Sequence, residues 1–200
     1  MLKLEPVFEQ RIGNADDIYS PILNHQGWGN YIVLDKDINE ITFNTFIASW
    51  LNYCYDGQAI DKEFIDNIAN EETALSGGLR LTMGDKVISP SCCSEFSDFK
   101  EWADICKGEK PNIWLGHDPT PQVSYTDSHI IIVSDSEMSI KPSQDIFELK
   151  ISYQKFNQAF DKIYSDVLAI QRFSEQWAKK FLDNELQHLF IKAFNDYIGL

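Results

Sequence analysis

Cys92 and Cys93 stand side by side in Pro90-Ser91-Cys92-Cys93-Ser94, with Cys106 and His117 downstream. A thiol in such a loop has three uses. It can be a small buried hydrophobe that packs a turn. It can be a thiolate activated by the N-terminus of the helix expected to follow. Or the pair can join Cys106 and His117 around zinc, although structural zinc sites space paired ligands about two to four residues apart so that both thiolates converge. A buried thiol needs little hydrogen bonding and suits a crowded turn, so Cys92 and Cys93 are expected to be buried and structural.

His117 precedes Asp118 in Trp114-Leu115-Gly116-His117-Asp118-Pro119. The two can be a general base with its orienting carboxylate, or two metal ligands. Adjacent residues of an extended chain face opposite sides, however, and Asp before Pro starts turns by bonding its own backbone. Asp127 and His129 share a face but flank an expected turn and read as solvated, while His25 and His188 stand isolated. Gly77-Gly78 is a turn signal before it is a phosphate loop. The chain holds no G-x-S-x-G, H-E-x-x-H, P-loop or G-x-G-x-x-G pattern. No catalytic residue, metal or cofactor is therefore assigned. A small hydrolase or thiol-dependent enzyme using Cys92, Cys93, His117 and Asp118 stays as the alternative to a binding protein.

These residues need elements to hold them. Phe43, Phe46, Ile47, Trp50, Leu51 and Cys54 recur at helical spacing, with Gly57 as a stop. Asp61 is a suitable N-cap for a second helix with Phe64, Ile65 and Ile68 inward. Residues 1–30 give no clear pattern beyond a turn at Trp28-Gly29, and 31–34 read as a short buried strand. Strands are predicted over 79–83, 112–116, 122–126, 129–134 and 147–151, with hairpin turns at Gly84-Asp85 and Asp127-Ser128. Ser97 is the expected cap of a short helix ended by Gly108. Phe156, Phe160, Ile163, Val167, Ile170, Trp177 and Phe181 predict one long helix over 153–181, capped by Ser152. A last helix is predicted over 184–197. The whole reads as a single α+β domain, residues 1–200, with a mainly antiparallel sheet packed by helices.

The chain is acidic, with 31 Asp and Glu against 17 Lys and Arg and a formal charge of −14. Residues 151–200 hold six acids and six bases, so the excess lies entirely in 1–150. Such a field repels nucleic acid and anionic membrane and attracts basic partners. The densest run, 35–72, offers Asp35, Asp37, Glu40, Asp61, Glu63, Asp66, Glu71 and Glu72 as candidate partner-binding residues. The first residues, Met1 to Pro6, form no apolar signal core, and no apolar run is long enough to span a bilayer. Four cysteines are too few for a disulfide scaffold. A cytoplasmic location is the expectation.

Residues 77–119 resemble an uncharacterised bacterial family with a Pro-x-Cys-Cys-x-acidic-Leu/Phe loop and a Trp-x-Gly-His strand, here Pro90 to Phe96 and Trp114 to His117. Several such families look like immunity proteins of polymorphic toxin systems. That resemblance implies a non-enzymatic protein that binds and neutralises a cognate toxin, and the acidity implies that the toxin is basic. A dimer through the long C-terminal helix is a further possibility for the partner surface.

Overall fold

The computed structural model describes residues 1–10, 31–54, 61–70, 75–91, 93–136 and 145–200. His25, Trp28-Gly29, Gly57, Glu71, Glu72 and Cys92 lie outside the described residues, as does the side chain of Cys54. The strands are β1 (Leu2–Glu9), β2 (Tyr31–Val33), β3 (Gly77–Met83), β4 (Lys86–Ile88), β5 (Gln122–Tyr125), β6 (His129–Val133) and β7 (Glu148–Ser152). The α-helices are α1 (Glu40–Cys54), α2 (Lys62–Asn70), α3 (Trp102–Lys107), α4 (Tyr153–Phe181) and α5 (Asn184–Ile198), and a 3₁₀ helix spans Phe96–Glu101. The fold class is α+β. One sheet has the order β2-β1-β3-β4 and the other β5-β6-β7. No helix among the described residues is long and apolar enough to cross a membrane.

By its contacts the chain groups into two compact units, Met1–Val7 with Ser76–Tyr164 and Phe8–Leu75 with Ser165–Leu200. The division falls inside β1 and inside α4.

In the first unit the meander β5-β6-β7 is antiparallel throughout, with Val123↔Ile132, Ile130↔Ile151 and Ile132↔Leu149 directly opposite. These five side chains sit on one face and are all buried, as period-two alternation requires. Asp127 and Ser128 make the tight turn, closed by Thr126 N–H donating to the His129 carbonyl at 2.9 Å. Strand β7 passes straight into α4, and the Lys155 N–H reaches the Ser152 hydroxyl at 3.4 Å. The fully buried Phe156 of α4 stacks on Trp102, centroids 6.2 Å apart and planes 12° apart. Gly108 ends α3 at φ +79°, the left-handed conformation that favours glycine.

Two expectations need correction here, and one strand has no sequence signal. Residues 112–116 do not form a strand. They make one isolated bridge, Asn112↔Gln122, after which the Leu115 carbonyl accepts from the Ser91 N–H at 2.7 Å instead of from a sheet neighbour. The alternation that suggested a strand is real, because Ile113 and Leu115 are buried and Trp114 is exposed. The short helix is capped at Glu95 and not at Ser97, because Asp98 Oδ2 reaches back to the Glu95 N–H at 2.8 Å. Strand β1, unread in the sequence, carries Pro6 in its middle, a residue that normally argues against a strand.

In the second unit α1 and α5 share an aromatic core. Trp50 stacks on Tyr197 at 5.2 Å and meets Phe194 edge-on at 5.5 Å, and Phe46 meets Phe194 at 5.8 Å. The Tyr197 hydroxyl donates to the Leu75 carbonyl at 3.3 Å, so this buried ring keeps its polar end satisfied. Asp61 caps α2 as the sequence predicts, Oδ1 accepting from the Phe64 N–H at 2.9 Å. Along α4, Val167, Ile170 and Trp177 are buried, but Phe181 at the end of the stripe is 39% exposed.

Phe156→Ala is expected to cost about 3–5 kcal/mol, the usual range for emptying a buried phenyl site, read as a lowered denaturant midpoint at unchanged slope.

Candidate functional site

The two sequence blocks around the cysteines and around Trp114 come together in the first unit. The Ser91 N–H and hydroxyl both donate to the Leu115 carbonyl, at 2.7 and 3.2 Å. The Trp114 indole N–H donates to the Cys93 carbonyl at 3.3 Å. His117 meets the Trp114 ring edge-on, centroids 6.1 Å apart. On the other side Gly77 N–H donates to the Ser94 carbonyl at 2.9 Å. Gly78 has φ +132°, and a Cβ there would come within 3.2 Å of Ser94 Oγ. Glycine at this position is what lets β3 lie so close to the loop.

Cys93 overturns the expectation of burial. It is exposed, and its φ of +68° lies in the left-handed region that side-chain-bearing residues rarely adopt. The loop places it at the surface of a sharp turn, so it does not pack a core. Cys106 is half-buried on α3, where burial first and the Asp161 charge second push its thiol up to about 11. It is therefore a poor nucleophile at neutral pH. Among the described residues no three His, Cys, Asp or Glu side chains converge as metal ligands.

His117 is exposed and Asp118 half-buried, joined to Pro119 by a cis peptide bond. Asp118 lines a cavity of about 540 Å³ with Pro90, Ser91, Pro119, Asp135 and Phe147, whereas His117 is not among its lining residues. The cavity also exposes what sequence reasoning missed. Asp135 is 3% exposed, and its Oδ1 accepts from the N–H groups of Thr120 at 3.0 Å and Ser136 at 2.8 Å. The run Ser134-Asp135-Ser136 after a strand was the available signal. His129 sits at the β5–β6 turn with Nδ1 2.7 Å from the Ser128 hydroxyl, and Asp127 is exposed.

The acidic candidates belong to the second unit. Asp37, Glu40, Asp61 and Glu63 are exposed, while Asp35 and Asp66 are half-buried. Several already have internal work. Asp35 Oδ1 accepts from the Asp37 N–H at 3.0 Å, Asp37 pairs with Lys36 at 3.0 Å, and Glu40 pairs with Lys180. Asp166, 130 residues further along, joins Asp35 and Asp37 by accepting from the Lys36 N–H at 3.0 Å. It is 8% exposed. Burial holds its carboxyl above the usual value, the Asp35 and Asp37 charges push the same way, and the Lys36 N–H and ammonium oppose them.

No family model, curated protein or solved structure matches the chain.

Cys93→Gly is expected to stabilise the fold. Relieving a left-handed side chain returns about 1–2 kcal/mol and the added freedom of the unfolded glycine takes back about 0.5–1 kcal/mol. A net gain near 0.5–1 kcal/mol should appear in chemical denaturation, and Cys93→Val should show a loss.

Asp166→Asn keeps an acceptor for the Lys36 N–H but carries no charge. A carboxyl held above 3.8 in the fold favours the native state while protonated, and that stability is lost as pH rises through the raised value. The variant should therefore unfold at a higher temperature than the parent at neutral pH. The difference should vanish as pH falls below 3.8, where both side chains are neutral.

Proposed function

We propose that this chain is a non-enzymatic binding protein that meets a basic protein partner through the acidic surface of its second unit, as an immunity protein meets the toxin it neutralises. The observation that carries the reading is the gathering of Asp35, Asp37 and Asp166 at Lys36, whose ammonium pairs with Asp37 and whose backbone N–H is accepted by Asp166, while Asp35 accepts from the Asp37 N–H. Three carboxylates near one ammonium leave a local negative excess, which attracts a cation from a partner. The excess of 31 acids over 17 bases extends the same preference to long range, where it steers a basic partner into encounter. The resemblance of Pro90 to Phe96 and Trp114 to His117 to orphan families of immunity type points in the same direction.

A thiol-dependent enzyme is the second reading. It is favoured by one arrangement, the Trp114 side chain that touches both the Cys93 carbonyl and the His117 ring. Stoichiometric alkylation of Cys93 by iodoacetamide within minutes at neutral pH would favour it.

The partner captured from the native host should be a basic protein. Its association rate should fall by about tenfold or more between low and high salt, as steered encounters do. Asp37→Lys combined with Glu63→Lys should slow association more than it speeds dissociation. Asp61 is left intact in that variant because its carboxylate caps α2. A neutral or acidic partner, or association indifferent to salt, would overturn the proposal.

A further inference from the structure

The second unit holds a separate cavity of about 240 Å³, lined by α1 and the last turns of α4. Its walls are aromatic, supplied by Phe43, Phe173, Trp177 and Phe181. Phe43 and Phe173 stack with centroids 5.6 Å apart, and Trp177 lies 5.1 Å from Phe181. Asn44 belongs to the same lining at 7% exposure, and its Oδ1 has no hydrogen-bond partner among the described residues. A buried acceptor left unmade is expensive, and a leucine at that place would spare the fold the cost. An amide oxygen kept among aromatic rings is explained if a donor arrives from outside.

We propose that this cavity binds a neutral one- or two-ring aromatic molecule with a single N–H or O–H donor, the rings lying against the aromatic walls and the donor bonding Asn44 Oδ1. The volume sets the size. An apolar cavity of about 150 Å³ holds benzene, while drug-sized ligands occupy pockets from about 300 Å³ upward. The charged lining residues, Glu40 and Lys180, are ion-paired with each other, which leaves no net charge to select an ionic ligand. The inference is independent of the basic-partner reading, because none of its contacts uses the acidic surface as a charge.

Calorimetric titration of the full chain with indole, and with indene as a probe of the same shape without the N–H, tests it directly. Indole should bind saturably, and indene at least about tenfold more weakly, the factor one hydrogen bond supplies. Asn44→Leu should raise the thermal midpoint, bind both probes, and show no preference between them. Absence of saturable indole binding at millimolar concentration, equal affinity of the unaltered protein for both probes, or a preference surviving in Asn44→Leu would each overturn the proposal. The comparison on unaltered protein decides the matter even if the variant does not fold.

Discussion

Helix α4 places Phe156, Phe160, Ile163, Val167, Ile170 and Trp177 at steps of three, four and seven residues, and none is more than 6% exposed. Burying one such side chain contributes about 1.5–3 kcal/mol, so a stripe of six constrains everything packed near it. In the first unit the stripe sets Phe156 against Trp102, and Tyr164, outside the stripe and 47% exposed, meets Phe99 edge-on. In the second it brings Phe173 to Phe43 and Trp177 to Phe190.

The same stripe explains why the C-terminal half was legible from sequence. A long helical period without Gly or Pro has one low-energy solution, and the observed bounds of α4, Tyr153–Phe181, are those the spacing predicts. Strands β5 to β7 were equally readable, because alternating Ile and Val between turn residues admits little else. The failures are local. Residues 112–116 alternate like a strand, yet the Leu115 carbonyl is taken by a loop, and no periodicity distinguishes a sheet partner from a loop partner. Pro6 hid β1 by the ordinary rule that proline weakens a strand.

The site was legible in its residues and illegible in its geometry. The Pro90 to Ser94 loop and the Trp114 to His117 segment stood out by type, and the structure does bring them together. What sequence could not show is orientation. A turn sharp enough to need φ +68° at Cys93 points its side chain outward, where packing arguments expected it inward. Asp135, Asp166 and Asn44 were invisible for a related reason. A polar residue on an otherwise apolar face looks like ordinary surface until burial is known.

The interleaving of the two units has a consequence for synthesis on the ribosome. The second unit is built from residues 8–75 and 165–200, with most of the first unit between them in the chain. Phe43, Phe46 and Trp50 therefore emerge long before Phe190, Phe194 and Tyr197, the rings they meet. Until Asn184–Ile198 is translated, α1 has no α5 to cover it. The nascent chain must carry a sticky aromatic surface while the first unit matures, and it is during this interval that a chaperone has most to hold.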